Sequence, residues 1–142
     1  MSTTLFPIFQ TEASQAAVEL ALCREVAWDY DTNAPIWKQG SPAIVTGRAA
    51  VKVWAWKALH TPRFRYEMYT RSYGSEIEAL IGQPYTDELK QAEAVRYVRE
   101  ALMINPYIKS VEQISVEFAD GTLSISCKVN TIYGETEVSA SV

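Results

Sequence analysis

The sequence predicts an α+β domain, a small single unit with two main helices and an antiparallel sheet that includes a C-terminal β-hairpin with an exposed edge strand. Three observations carry this. Two uninterrupted segments read as helices: apolar residues cover most of "TGRAAVKVWAWKALHT" and recur at helical spacing in "TDELKQAEAVRYVREALMIN". The period falls to two in the last third, where "VEQISVEF" and "TLSISCKVNTI" alternate apolar with polar residues. Between those two runs sits Asp120-Gly121, a pair that tolerates the positive φ angles of a tight hairpin turn. With 142 residues the chain is long enough for one domain. Residues 1–142 are read as that domain, with 1–23 as an N-terminal arm or variable segment.

The elements follow in order. "LFPIF" is apolar around Pro7 and reads as an arm, and Glu12 to Leu22 fits either helix or irregular chain. Val26, Trp28 and Tyr30 alternate with Glu25, Ala27 and Asp29, which predicts a strand over Glu25 to Tyr30. "DTNAP" and "QGSP" are turn clusters, and Ile36-Trp37 between them is a short return strand. The first helix starts at Thr46 or Gly47, carries charge only at Arg48, Lys52 and Lys57, and therefore requires contact on more than one side. It stops near His60, because Pro62 pushes Thr61 out of the α region.

The segment "TPRFRYEMYTRSYGSEIEALIG" is then read as extended from Phe64 to Thr70. That directs Phe64, Tyr66 and Met68 into a core and Arg63, Arg65, Glu67, Tyr69 and Arg71 outward. Gly74 permits a sharp turn, Ser75 is a candidate cap, and Glu76 stands near a helix start. Thr86 caps the longest helix, with Asp87 and Glu88 favourably placed in its first turn. Its predicted buried stripe is Leu89, Ala92, Val95, Val98 and Leu102, and Pro106 ends it. In the strands, Ile114, Val116 and Phe118 share one face, as do Leu123, Ile125, Cys127 and Val129. Val138, Ala140 and Val142 resume the alternation at the end.

Composition narrows the function. The net charge of −4 and the pI near 5.0 argue against general nucleic-acid binding, which needs a basic footprint. No apolar run approaches the ~20 residues of a transmembrane helix, and the N-terminus has neither a basic nor an apolar signal region, so a cytosolic product is expected. Cys23 and Cys127 read as two reduced, packed thiols. A single histidine, His60, rules out a two-histidine metal site and is read as a helix cap. No cofactor or metal is expected. A hydrolase would need facing carboxylates; Glu76 and Glu78 are two apart on a helix and do not face each other, and Asp29 and Asp31 lead into a wet turn. Arg63, Arg65 and Arg71 among aromatics form the best nucleic-acid candidate, but packing and protein contact explain the same pattern.

The run from Gly40 to Gly82, with Thr61-x-Arg63, Tyr66, Tyr69, Tyr73-Gly74-x-Glu76 and Leu80-Ile81-Gly82, followed by "NPYIKSV" and "VNTIYGE", resembles a known family. It is similar to the XkdS-type baseplate wedge and sheath-initiator proteins of contractile phage tails, once labelled tail lysozymes, with a counterpart in the type VI secretion baseplate. The resemblance spans about Arg24 to Glu135. It implies a non-enzymatic adaptor in a phage or phage-tail-like particle, assembled in the bacterial cytoplasm, with several copies around a sixfold baseplate. The implied partners are larger wedge proteins and the first ring of sheath subunits, with tail tube or hub proteins as further neighbours, and no membrane or nucleic acid. Relatives carry a Glu-Pro-Arg triplet where this chain has Asn105, Pro106 and Tyr107, so only the proline matches. The implied contact residues are Arg63, Tyr66, Tyr69, Arg71, Tyr73, Glu76, Asn105, Pro106, Tyr107 and Tyr133, together with the edge residues Val138, Ala140 and Val142, which would pair with an incoming strand. The family's old label keeps a cell-wall hydrolase as the alternative.

Overall fold

The computed structural model describes residues 20–65, 68, 72–81, 83–119 and 121–142. The alternating C-terminal third forms a three-stranded antiparallel sheet on which two helices pack, and a small strand cluster packs against the first helix.

That cluster comes first in the chain. Six short strands, β1 (Arg24–Val26), β2 (Trp28–Asp29), β3 (Ala34–Pro35), β4 (Trp37–Lys38), β5 (Ser41–Pro42) and β6 (Ile44–Thr46), form three two-stranded antiparallel pairs. β1 pairs with β6, β2 with β3 and β4 with β5. The three meet at a ring of backbone hydrogen bonds. Ala27 N–H donates to Ala43 C=O at 2.8 Å, Ala43 N–H to Ile36 C=O at 2.8 Å, and Ile36 N–H to Ala27 C=O at 2.9 Å. Each donor at the junction thus finds an acceptor although no strand is long enough to carry a continuous ladder. Gln39 and Gly40, with φ of 52° and 82°, make the tight turn of the β4–β5 arm. The predicted strand over Glu25 to Tyr30 is therefore broken at Ala27, where the chain changes partner.

Helix α1 (Arg48–His60) begins at Gly47, whose φ of 66° a side chain would oppose. Its buried residues, Ala50, Val51, Val53, Ala55, Trp56, Ala58 and Leu59, spread around the helix because the sheet lies on one side and β1 and β6 on another. Side chains close its last turn. Ser75 Oγ donates to Leu59 O at 3.1 Å, Thr61 Oγ1 donates to Lys57 O at 2.7 Å, and His60 Nδ1 lies 2.8 Å from Trp56 O. Ser75, read from sequence as a cap for the following helix, instead satisfies a carbonyl at the end of α1. The short 3₁₀ helix Ile77–Leu80 starts at Glu76 with no side-chain cap.

Ser75 is held there by two backbone bonds. Arg63 N–H donates to Ser75 O and Ser75 N–H to Thr61 O, both at 2.9 Å. Gly74 makes the approach possible: its φ is +99°, and a Cβ there would stand 2.7 Å from Thr61 O and 3.1 Å from Arg63 Cα. Gly74→Ala is expected to cost about 2–3 kcal/mol, combining the strained φ with a clash against backbone. A urea titration in which the variant keeps the parental midpoint would refute this.

The chain also differs from expectation just before that point. Phe64, expected in the core, has a φ of +71° and is 56% exposed, and Met68 is 82% exposed. The pairing of Arg63 with Ser75 turns the chain away from an extended path, and Phe64 lies under the Arg63 guanidinium, 4.6 Å from its ring centre. Tyr66, Glu67, Tyr69, Thr70 and Arg71 lie outside the described residues.

Helix α2 (Asp87–Met103) has the predicted start, with Thr86 Oγ1 accepting the Leu89 N–H at 3.2 Å. Its buried face is Ala94, Val98, Ala101 and Leu102, whereas Leu89 and Ala92 of the predicted stripe are exposed. The alanines explain the error: they occur on both faces, and the sheet takes the side on which Ala94 and Ala101 permit close approach. The helix stops before Pro106, as predicted.

The sheet runs β7 (Ile108–Ala119), β8 (Thr122–Thr131) and β9 (Gly134–Ser141), with β8 in the middle. Helix α1 packs on β9 and α2 on β7. Leu123, Ile125, Cys127, Val129, Val138 and Ala140 face this core as their alternation predicts. Both cysteines are free and buried, and burial pushes the Cys127 thiol up to about 11.

Candidate protein-interaction surfaces

The two outer edges of the sheet differ. β7 is bulged twice, between Ile108 and Ser110 and between Glu112 and Ser115, and Gln113 has a positive φ of 51°. Gln91 Nε2 from α2 also reaches the Val116 carbonyl at 3.5 Å. Bulges and covering side chains are how a sheet blunts an edge. β9, in contrast, pairs with β8 over eight consecutive positions without a break.

The register tells which groups β9 turns outward. Leu123 and Val142 exchange both backbone bonds, at 2.9 and 2.8 Å. Pairs alternate along an antiparallel ladder, so Ala140, Val138 and Thr136 also bond inward to β8, while Glu137, Ser139 and Ser141 direct N–H and C=O away from it. The side chains of Val138 and Ala140 are buried under α1, and Val142 is half-buried. The backbone that a partner strand would meet thus belongs to Glu137, Ser139 and Ser141, one position out of phase with the predicted set. The two-residue turn Ile132-Tyr133 fixes that phase, since it makes Thr131 and Gly134 the first pair.

A second surface surrounds the end of α2. Asn105 is buried and builds the corner: its side-chain oxygen accepts the Tyr107 N–H at 2.8 Å and its carbonyl accepts the Ile108 N–H at 3.1 Å. Pro106 is exposed beside it. The Tyr107 ring stacks on Tyr133 with centroids 6.0 Å apart, and its hydroxyl donates to Ala21 O. Tyr133 accepts the Cys23 N–H on its own hydroxyl at 3.0 Å, which ties the first strand to the β8–β9 turn. Asn105, Pro106 and Tyr107 share a cleft of about 430 Å³ with Leu22, Ile104 and Trp54. Ile132 joins the same corner through its N–H bond to Tyr107 O at 3.0 Å. Leu22, Ile104 and Ile132 are 57%, 44% and 43% exposed, a local apolar patch that periodicity did not single out. Trp37, on the β4–β5 arm, is another exposed aromatic that the sequence reading passed over.

The Arg/Tyr stretch connects to this corner through Trp54. Tyr73 packs edge-on against Trp54 at 5.8 Å. Arg63 pairs with Glu76 at 3.4 Å and Arg65 with Glu78 at 3.1 Å. Two of the four carboxylates weighed for hydrolysis, Glu76 and Glu78, are thus held by arginines, and two of the three arginines weighed for phosphate contact already meet acids. Asp29 accepts the N–H groups of Thr32 and Asp31, and those bonds hold its carboxyl below the usual range, which marks a turn-stabilising role. Among the described residues no group of three or more histidine, cysteine or acidic side chains is arranged to hold a metal.

A regular unblunted edge strand on one flank and an apolar, aromatic corner on the other are the candidate surfaces for neighbouring chains. The model of the contractile injection system sheath initiator family matches residues 24–134. The phage-like element PBSX protein XkdS of Bacillus subtilis strain 168 is 29% identical over 96 residues, which cover 67% of this chain and 68% of that protein. The match runs from β1 through both helices to the start of β9, and on that ground the chain belongs to the contractile injection system sheath initiator family.

Proposed function

We propose that this chain is a two-sided, non-enzymatic adaptor that docks on baseplate wedge proteins through the corner around Pro106 and Tyr107 and starts sheath assembly by offering β9 to a strand of the first sheath ring. Family membership makes it a structural component of a contractile tail or tail-like particle. The finer division of labour rests on one observation: the β9 edge is regular and unbulged, whereas β7 is blunted twice. The two surfaces suit an adaptor because they flank α1 on opposite sides. Trp54 faces the corner and Trp56 the β9 side, and residues two apart on a helix point about 200° apart.

Ser139→Pro tests the sheath-facing half. Proline at this position removes an N–H that points away from β8, so the internal ladder and the fold survive, as proline is tolerated on edge strands. The expected particles carry the protein in their baseplates yet show mostly bare tubes by electron microscopy. Normally sheathed tails from the variant would refute the strand-pairing role.

A further inference from the structure

The groove beside β9 describes the strand that fits it, and the inference here rests on the edge-pairing reading above. Three boundaries define it. At the start of β9, Arg48 Nη1 donates to the Glu135 carbonyl at 3.3 Å and occupies the edge there. Beyond it, the outward backbone groups of Glu137, Ser139 and Ser141 have no hydrogen-bond partner among the described residues. Trp56 and His60 of α1 line a cavity of about 760 Å³ with Ser139–Ser141, which extends over Ser115, Glu117, Ser124 and Ser126 of the open face and is also lined by Tyr30, Asp31 and Asn33 of the β2–β3 arm. An added strand lies about 4.8 Å from β9 and so falls within this groove.

The open face of the sheet supplies the chemistry. Cross-strand rows run Glu112-Lys128-Glu137, Ser115-Ser126-Ser139 and Glu117-Ser124-Ser141. Four acids (Glu112, Glu117, Glu135 and Glu137) stand on the paired positions of this face against one base, Lys128, and that base is already 3.1 Å from Glu135. Glu137 therefore ends its row at the edge as an acid whose facing position is empty. On the other face, the neighbours of the incoming chain are Trp56 and His60, whose rings stack at 3.8 Å.

We propose that β9 accepts an extended segment pairing with the five residues from Glu137 to Ser141, with lysine or arginine on the open face beside Glu137, small polar residues beside Ser139 and Ser141, and apolar residues between them against Trp56 and His60. The pattern is a basic, alternating strand. A neutral or acidic strand meets the same backbone but leaves Glu137 unpaired or repelled. Arg48 sets where pairing begins and the β2–β3 arm limits how much can be added.

The test uses the full chain and two capped synthetic peptides of one alternating pattern, valine on one face and serine on the other. One peptide carries lysine and the other glutamate at both terminal open-face positions, so that either strand direction brings the charge beside Glu137. Binding is followed by amide resonance shifts at Ser139 and Ser141 at up to millimolar peptide. The lysine peptide is expected to bind about tenfold more tightly, Glu137→Lys to reverse the order, and Ser139→Pro to abolish both. If Ser139→Pro abolishes binding while Glu137→Lys leaves the order unchanged, the charge preference is overturned and edge pairing stands. If Ser139→Pro binds both peptides like the parent, or the parent binds neither, edge pairing itself is overturned, and this inference with it.

Discussion

Deleting Thr136–Val142 is expected to abolish cooperative folding rather than merely remove an interface. β9 pairs with β8 at eight consecutive positions and provides the surface on which α1 packs. Val138 is fully buried and Ala140 nearly so. Losing the Val138 side chain alone costs about 1.5–3 kcal/mol of burial. The truncation also uncovers the part of the buried face of α1 that packs on β9 and opens the Ile125, Cys127 and Val129 flank of β8. The sum is on the order of 5 kcal/mol or more, comparable with the whole stability of about 5–15 kcal/mol of a domain this size. Thermal melting by circular dichroism should show no sharp transition and a loss of strand signal. A truncated chain that melts cooperatively within a few degrees of the parent would show β9 to be an appendage. The contrast with Ser139→Pro follows directly: the strand is inward-facing by its side chains and outward-facing by half of its backbone. Within β9, a change confined to the outward backbone separates assembly from folding.

That double character explains which parts the sequence made legible. The C-terminal sheet was readable because burial on one face imposes period two, and Gly121, with φ of 73°, stands in the turn as expected, whereas Asp120 lies outside the described residues. Thr86 as helix cap and Pro62 and Pro106 as stops were readable because each acts through local geometry. The three-arm cluster was only half readable: Ala27 changes hydrogen-bonding partner within what looks like one strand, and nothing local signals a tertiary junction. The exposed positions of Phe64 and Leu89 escaped for a related reason. Apolar spacing states that a side chain benefits from burial, not that a surface exists to bury it.

The interaction surfaces show the same division. The edge strand was legible as a strand with no proline and late charges, and its location at the end of the sheet follows from two short turns. Its bonding phase was not, because alternation fixes which side chains point inward but only the length of the Ile132-Tyr133 turn fixes which N–H groups point outward. At the corner, Pro106 and Tyr107 were found through family resemblance. Leu22 and Ile132, distant from them in sequence, join them only through the hydrogen bonds of Tyr107 and the shared cleft. Asn105, expected as a contact residue, lines the same cleft and is also a buried brace whose side-chain oxygen accepts the Tyr107 N–H.

The corner yields the other large effect. Ile104→Lys combined with Ile132→Lys is expected to exclude the chain from assembled particles while leaving it folded. Both side chains are more than two-fifths exposed, so substitution should change stability by about 1 kcal/mol or less. Lysine is chosen because Ile104 caps the C-terminus of α2, where a cation meets the helix dipole favourably and an acid would not. At an apolar interface the same change places two charges against a partner's desolvated surface, and the loss of two anchoring residues is worth about 2–4 kcal/mol, or roughly 30- to 1,000-fold in affinity. Quantitative mass spectrometry of purified particles should find the variant depleted by more than tenfold, and the tubes bare because no initiator is present. Ser139→Pro produces bare tubes with the protein retained, so the two variants separate docking from initiation in one preparation. Parental amounts of the double-lysine chain in particles would mean that the wedge contact lies elsewhere, with the Arg63–Glu76 region beside Trp54 as the surface to vary next.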